Sequence, residues 1–434
     1  MRISGDSGGN ELGKTPASPV SMVHWYRHHE PEKTALYPII EQHLSALTGE
    51  LTRQHGALPA FVIDEFRNYL RCGRLEHGFI RVKCDGCRHE HLVAFSCKRR
   101  GFCQSCGARR MIETSAHLVD HVIPDVPVRQ WVLSFPWPLR LLFASRPDAL
   151  SRCLAVITRV IETGLIQRAG LTRASRARTG VVTLIQRFGS ALNLNVHLHM
   201  IILDGGAGGR TLTLKNPGLQ RTEAQPKPFT VDRDGFSVNA AVACQPHQRQ
   251  RLERLCRYVT RPAICLERLS TDAAGQVIYE LKHPFRDGTT HILFTPQDFL
   301  ARLAALVPRP RANLTRYHGV FAPNSPFRSA VVPGSANPAH KKRQKPAAST
   351  SAEPAVDQAQ PTAPLTWAER LKRVFDIDIS VCPLCGGTLR VIADLTNPDV
   401  IQTILAHLKQ RAPPGAAHRQ TPLRAAQKDL FAAN

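Results

Sequence analysis

The sequence predicts an α+β protein in which an antiparallel sheet with helices packed on it follows a helical, zinc-ribbon module. Three observations carry that reading. Segments of period two alternate with longer segments of helical period, and antiparallel sheets with helices packed on them produce that mixture. Two Cys-x-x-Cys pairs, Cys84/Cys87 and Cys103/Cys106, stand fifteen residues apart in the first third of the chain. The 434 residues, 43% of them hydrophobic, can bury two or three real cores without disulfides.

The elements follow in order. Residues 1–30 are polar and contain Gly, Ser and Pro, the composition of a mobile tail. Apolar recurrence predicts helices over Leu36 to Leu51 and Pro59 to Arg71, and another through "ARRMIETSAHLVDHV". With the block from Cys72 to Cys106 they form a first module, 31–125. A second, 126–332, opens with a strand over Gln130 to Phe135. It continues through the helix "DALSRCLAVITRVIETGLIQR", a strand over Val181 to Gln186 and the strand "NLNVHLHMIILDGG". A Gly-rich turn at Gly205 to Gly209, a hairpin "FTVDRDGFSV", the helix "HQRQRLERLCRYVT", a hairpin "QVIYELKHPFRDGTTHILF" and the helix "PQDFLARLAAL" complete it. Residues 333–365, rich in Pro, Ala, Ser and Gln with the basic run "KKRQK", read as a linker. A small unit with one more Cys-x-x-Cys, 366–434, ends the chain.

Fifty-seven Lys and Arg against 34 Asp and Glu leave a formal charge of +23, which favours a polyanionic partner, most simply nucleic acid. No stretch approaches the roughly 18 uninterrupted apolar residues of a membrane span, and the N-terminus lacks a signal peptide's apolar core. The cytosol is the expected compartment, associated with DNA and not with a membrane. Thiols stay reduced there, so the twelve cysteines are metal ligands or core residues before they are disulfides.

The spacing of Cys84, Cys87, Cys103 and Cys106 predicts one structural Zn²⁺ site, because each pair forms a knuckle presenting two thiolates and two knuckles close a tetrahedron. Cys72, Cys97, His89 and His91 could serve a second ion or be ordinary buried and surface residues. Cys382 and Cys385 supply half a site, to be completed by a residue such as His407 or by a second chain. Lys98, Arg99 and Arg100 lie within the ribbon beside Phe102 and are candidates for tracking a phosphate backbone, or a solvated charge run.

In "NLNVHLHMIILDGG" the apolar residues Leu194, Val196, Leu198 and Met200 share one parity and Asn193, Asn195, His197 and His199 the other, so one strand face is apolar and the other carries imidazoles and amides. Two histidines so placed can reach a single cation, although structural histidines on a half-buried strand are also common. In "RLERLCRYVTRPAI", Leu252, Leu255, Cys256 and Val259 form a core-facing stripe, and Arg251, Arg254, Tyr258 and Arg261 the opposite side. Pro262 ends the helix near Arg261 and leaves Tyr258 in the last turn. That end of a helix is electronegative; Arg254, Arg257 and Arg261 offset it and offer forks for phosphate. A phenol is a poor nucleophile at neutral pH, but metal polarisation of a phosphate beside guanidinium groups makes its attack feasible.

Taken together, "FRNYLRCGRLEHGFIRVKCDGC", "SCKRRGFCQSCGARRM", "WVLSFPWPLRLLFA", "NVHLHMIILDG", "RYVTRPAI" and "LTRYHGVFAPNS" resemble, in this order, the HUH-type transposases of rolling-circle insertion sequences with an N-terminal transposase zinc-binding domain. The resemblance spans Phe66 to Ser325. It implies an antiparallel-sheet nuclease domain in which His197 and His199 bind Mg²⁺ or Mn²⁺, and Tyr258 attacks single-stranded DNA to form a 5′-phosphotyrosyl link and release a 3′-hydroxyl. It implies further that the cysteine block recognises element ends. Some members carry two tyrosines four residues apart on this helix; here position 262 is proline and position 254 arginine, a single-tyrosine version. Asn195, Glu253, His247 and His291 remain candidates for a third metal ligand. The rival readings are a non-catalytic zinc-ribbon DNA-binding protein and a hydrolase that activates water.

Overall fold

The computed structural model describes residues 30–171, 177–204, 229–333, 369, 380–382 and 384–411. The expected tail, the Gly-rich turn and the Pro-rich linker lie outside the described residues. No described helix is long and apolar enough to cross a membrane.

Helices α1 (Leu36–His55) and α2 (Ala60–Arg71) form where the apolar periodicity places them, and the chain leaves α2 in extended conformation at Cys72. Strands β1 (Phe79–Cys84) and β2 (Glu90–Ala94) pair as a hairpin, followed by α3 (Gln104–His121). Leu36, Ile40, Phe66, Tyr69 and Phe102 are buried in one core, with Phe66 and Phe102 at 4.7 Å between ring centroids. That core is not closed within the first module. It continues into Tyr279 of β10 (Val277–Glu280), Phe294 of β11 (His291–Phe294) and Phe299, Leu300 and Leu303 of α7 (Pro296–Leu306). With β9 (Leu269–Thr271), β10 and β11 form a small antiparallel sheet of order β11-β10-β9. The first module and the later segment are therefore built on shared apolar contacts.

The large antiparallel sheet runs β12-β4-β5-β3-β7-β6, with β8 (Ala243–Cys244) also paired to β3. Its strands are β3 (Val128–Ser134), β4 (Gly180–Phe188), β5 (Leu194–Leu203), β6 (Thr230–Arg233), β7 (Phe236–Asn239) and β12 (Thr315–Gly319). Val196, Leu198, Met200 and Ile202 of β5 pack with Phe143 of α4 (Trp137–Ser145) and Leu150, Leu154 and Leu165 of α5 (Pro147–Arg168). Complete burial of each such aliphatic side chain contributes about 1.5–3 kcal/mol. On the opposite face Ile201, Val182 and Leu184 pack against Leu118 and Val119 of α3 and Leu252, Cys256 and Val259 of α6 (Arg249–Thr260). The sheet thus carries helices on both faces. Arg129 of β3 locks its rim by donating from Nε to Asp204 Oδ2 at 2.9 Å and from Nη1 to the Ala240 carbonyl at 3.0 Å.

The C-terminal unit is not separate. Its strand β13 (Leu389–Leu395) pairs antiparallel with β1, giving a three-stranded sheet β13-β1-β2 in the first module. The helix Pro398–Arg411 lies against the turn Leu75–His77.

Candidate active site

Strand register sets the polar end of the α6-facing sheet surface. His197 stands opposite Ser134 of β3 and Gln186 of β4, and His199 opposite Val132 and Leu184. Because alternate residues share a face, Gln130, Gln186, Asn195, His197 and His199 lie on one surface. The two imidazoles meet with Nε2 atoms 3.1 Å apart. His197 Nδ1 lies 2.9 Å from the Asn195 carbonyl, so that nitrogen carries the proton and Nε2 keeps its lone pair. His199 Nδ1 lies 2.8 Å from Nε2 of the Gln130 side-chain amide. A carboxamide presents either an oxygen or an NH₂ by rotating half a turn; with the oxygen inward it accepts from Nδ1–H and frees His199 Nε2 as a ligand atom. Burial pulls both histidines below the usual imidazole range, His199 to about 3, with His197 and Arg261 adding to the shift. Both are therefore neutral at pH 7, the protonation state a metal ligand needs.

Helix α6 ends where the sequence predicts: Thr260 closes it, and Arg261 turns extended ahead of Pro262. Its buried stripe Leu252, Cys256 and Val259 seats it on the sheet, and the Gln186 amide donates to the Val259 carbonyl at 3.3 Å. This brings Tyr258 against His199, its ring perpendicular to the imidazole with centroids 6.4 Å apart. Among the described residues Tyr258 is the exposed tyrosine, at 38%. Arg261 stacks its guanidinium on the phenol ring, 4.1 Å from the centroid, and donates to the Tyr258 carbonyl at 2.7 Å. The Lys282 ammonium lies 5.7 Å from the same ring, and Arg140 adds positive charge near His197. Two buried, neutral imidazoles, an exposed phenol and nearby cations form one cluster that reaches solvent at Tyr258 and Lys282.

Two family models match the chain. One, described as a putative transposase, covers residues 180–211 and 210–328; the other, a transposase zinc-binding domain, covers 39–135. Together they account for more than half of the sequence, in the order the fold requires.

The chain belongs to the transposase family.

No curated protein and no solved structure matches it. Both histidines and Tyr258 of this transposase fall within the first match, and the cysteine block within the second.

The cysteines require a correction. Cys84, Cys87, Cys103 and Cys106 do not close one tetrahedron; among the described residues they divide between two clusters, Cys72/Cys97/Cys103/Cys106 and Cys84/Cys87/Cys382/Cys385. In the first, sulfur separations are 3.8 Å for Cys72–Cys106, 3.4 Å for Cys97–Cys106 and 3.6 Å for Cys72–Cys103. A tetrahedral zinc with bonds of about 2.3 Å has ligand sulfurs about 3.8 Å apart. The spacing suits a structural zinc site and is far from a disulfide. The physical reason for the regrouping is local. Cys72 at the end of α2 and Cys97 after β2 are joined by the Cys97 N–H to Cys72 Sγ contact at 3.3 Å, beside Cys103 and Cys106 at the start of α3. A helix N-terminus favours the thiolate form. The reading of Cys72 and Cys97 as ordinary residues is thereby replaced, and His89, His91 and His407 belong to neither cluster.

The basic candidates separate too. Both terminal nitrogens of Arg100 donate to backbone carbonyls, to Ala312 at 2.6 Å and Arg309 at 3.1 Å, so this side chain fastens the ribbon to the segment before β12 instead of facing a phosphate. Arg99 lies near the buried Glu65 carboxyl, and Lys98 is exposed. Arg254 is exposed on α6, one turn before Tyr258, with Arg257 half-buried next to it. Of the third-ligand candidates, Asn195 shares the histidine face and its Oδ1 is buried with no partner, whereas Glu253 is buried on α6. His291 is exposed with Nδ1 against Thr290 Oγ1, and His247 precedes the end of α6 away from Tyr258. Sequence reasoning missed Gln130; its parity on β3 was the available signal, but only the β3–β5 register connects it to His199.

Proposed function

We propose that this transposase cuts and rejoins single-stranded DNA by attack of the Tyr258 hydroxyl on a phosphodiester phosphorus, at a divalent cation, Mg²⁺ or Mn²⁺, held by His197 and His199. The single observation that carries the reading is the exposed Tyr258 phenol set edge-on against the ring of His199, which is itself paired with His197. The donor set fits the ion. Adjacent ligands of an octahedral cation at about 2.1 Å lie about 3.0 Å apart, and the two Nε2 atoms are 3.1 Å apart. Asn195 Oδ1, a buried oxygen without a partner on the same strand face, is the third ligand this reading selects. When bound, the cation would polarise a non-bridging oxygen of the scissile phosphate.

The chain's own groups supply the rest. The phenolic oxygen forms the new bond to phosphorus and gives up its proton; the bond from phosphorus to the 3′ oxygen breaks, and that oxygen leaves as a hydroxyl. A 5′-phosphotyrosyl link and a free 3′-hydroxyl result, and the same steps in reverse, with a target 3′-hydroxyl as attacker, join strands. Arg261 holds the ring by stacking and fixes the helix end beneath it. This reading assigns the flanking phosphates to Lys282, beside the Tyr258 ring, and to Arg254, exposed one turn earlier on α6, while Arg140 raises the positive potential at the histidines.

Incubation with a single-stranded oligonucleotide of the element end and Mn²⁺ is expected to give a protein–DNA band that survives SDS, and Tyr258→Phe to abolish it while leaving non-covalent binding in place. Cleavage that persists in Tyr258→Phe without an adduct would support water activation instead, and binding with neither cleavage nor adduct a DNA-binding role.

A further inference from the structure

The second thiol cluster joins two stretches of chain nearly 300 residues apart. Cys84 and Cys87 sit in the turn that ends β1; Cys382 and Cys385 sit in the knuckle before β13, beyond the end of both family matches. Cys84 Sγ lies 3.4 Å from Cys385 Sγ, and Cys87 Sγ 3.6 Å from Cys382 Sγ. Each knuckle turns a backbone N–H onto its own sulfur: Gly86 onto Cys84 at 3.3 Å and Gly387 onto Cys385 at 3.4 Å. Such N–H groups favour thiolates, the form that binds metal. The knuckles also pack tightly. A Cβ on Gly387 would fall 2.9 Å from Cys84 Sγ, and one on Gly86 3.4 Å from Cys385 Sγ. Around the sulfurs the backbones are already joined: Asp85 N–H donates to the Thr388 carbonyl at 3.0 Å, Arg390 pairs with Asp85 at 3.0 Å, and β13 runs alongside β1 from Cys84↔Leu389 to Phe79↔Leu395.

We propose that these four thiolates bind a second zinc ion, separate from the ion of the Cys72/Cys97/Cys103/Cys106 cluster, and that this ion clasps the C-terminal unit onto the zinc-binding module. Four soft sulfurs select Zn²⁺ over Mg²⁺ or Mn²⁺, so the clasp does not compete for the cation of the nuclease site. The clasp ion takes two thiolates from each half, Cys84 and Cys87 from one and Cys382 and Cys385 from the other, so neither half holds a complete site alone. Strand β13 supplies a third strand to β1, but the four sulfurs gathered in one place would repel one another as thiolates without a cation between them. In the sequence, every strand of the nuclease sheet lies between the two halves of the clasp. Cys87 and Cys385 are exposed whereas Cys72, Cys103 and Cys106 are buried. A chelator therefore reaches the clasp first.

The test is the zinc content of the full-length protein by mass spectrometry, with hydrogen exchange of β13 as the second readout. The expected result is two zinc per chain, falling to one in Cys382→Ser/Cys385→Ser and equally in Cys84→Ser/Cys87→Ser, with the amides of residues 389–395 losing protection in both. Gly387→Ala retains all four thiols and is expected to speed release of one zinc, not two, to a chelator. One zinc per chain in the parent with no loss in the Cys382→Ser/Cys385→Ser variant would overturn the proposal. So would iron in place of zinc, or unchanged exchange of 389–395 after a zinc has been lost.

Discussion

The histidine pair and the cysteine clusters are both metal-ligating constellations, yet they are assembled in opposite ways. His197 and His199 sit two residues apart on one strand, so the pleat alone puts both rings on one face. Each thiol cluster instead draws on separated segments, and β-pairing between residues 79–84 and 389–395 decides which knuckle meets which. A site written into a local repeat tolerates changes in distant packing, whereas a site written into tertiary pairing holds that packing together. The nuclease site should accordingly fail in chemistry and the thiol sites in structure.

The largest expected effect belongs to the thiol side. Cys103→Ser removes one of four ligands from a buried cluster, and structural zinc sites contribute on the order of 10 kcal/mol of folding free energy. Loss of that zinc is expected to unfold α1, α2 and the ribbon. Because Phe299, Leu300 and Leu303 share the same core, thermal unfolding should also lose protection in α7. Protection of α7 identical to that of the parent protein, measured by hydrogen exchange, would sink the shared-core account.

That outcome bears on how far the sequence could be read. Helix and strand positions were legible because apolar residues recur with clear periods: Leu252, Cys256 and Val259 announce α6, and Val196, Leu198 and Met200 announce β5. The grouping of the cysteines was not, since a Cys-x-x-Cys spacing fixes two ligands of four and says nothing of the partner pair. Cys72, capping α2, and Cys97, after β2, had no spacing signature at all. The shared core of α1, α2 and α7 was hidden for the same reason: an amphipathic stripe shows that a face is buried, not against what. Arg100 looked like a phosphate contact because its run is basic, and only the fold reveals the carbonyls it is spent on.

A smaller effect sharpens the electrostatic half of the comparison. In the metal-free protein burial holds His199 at about 3 against an ordinary value of 6.5. The unfolded chain therefore takes up a proton below about pH 6.5 that the folded chain refuses until about 3. The stability difference is fully present above pH 6.5 and is lost as the pH falls through that window, by a few kcal/mol at most. Urea midpoints measured between pH 7 and 4 should fall steadily, and His199→Gln should flatten the slope. An unchanged slope would show that the imidazole is not buried as described.

The smallest effect concerns Gln130, which touches His199 without joining the reaction. Outer ligands of this kind are worth roughly 10–100-fold in metal affinity. Gln130→Leu is expected to raise the Mn²⁺ concentration needed for half-maximal cleavage by that factor with little change in the saturated rate, and Gln130→Glu to restore it. A fall in the saturated rate alone, at unchanged Mn²⁺ dependence, would remove the orienting role.

The central claim is that Tyr258 is the nucleophile at the histidine pair. Its most direct test is peptide mass spectrometry of the full-length protein after incubation with a single-stranded element end and Mn²⁺. The account predicts a nucleotide 5′-phosphate attached to the peptide containing Tyr258, absent when His197 and His199 are replaced. Cleaved DNA with that peptide unmodified, or an adduct mapped to any other tyrosine, would contradict it.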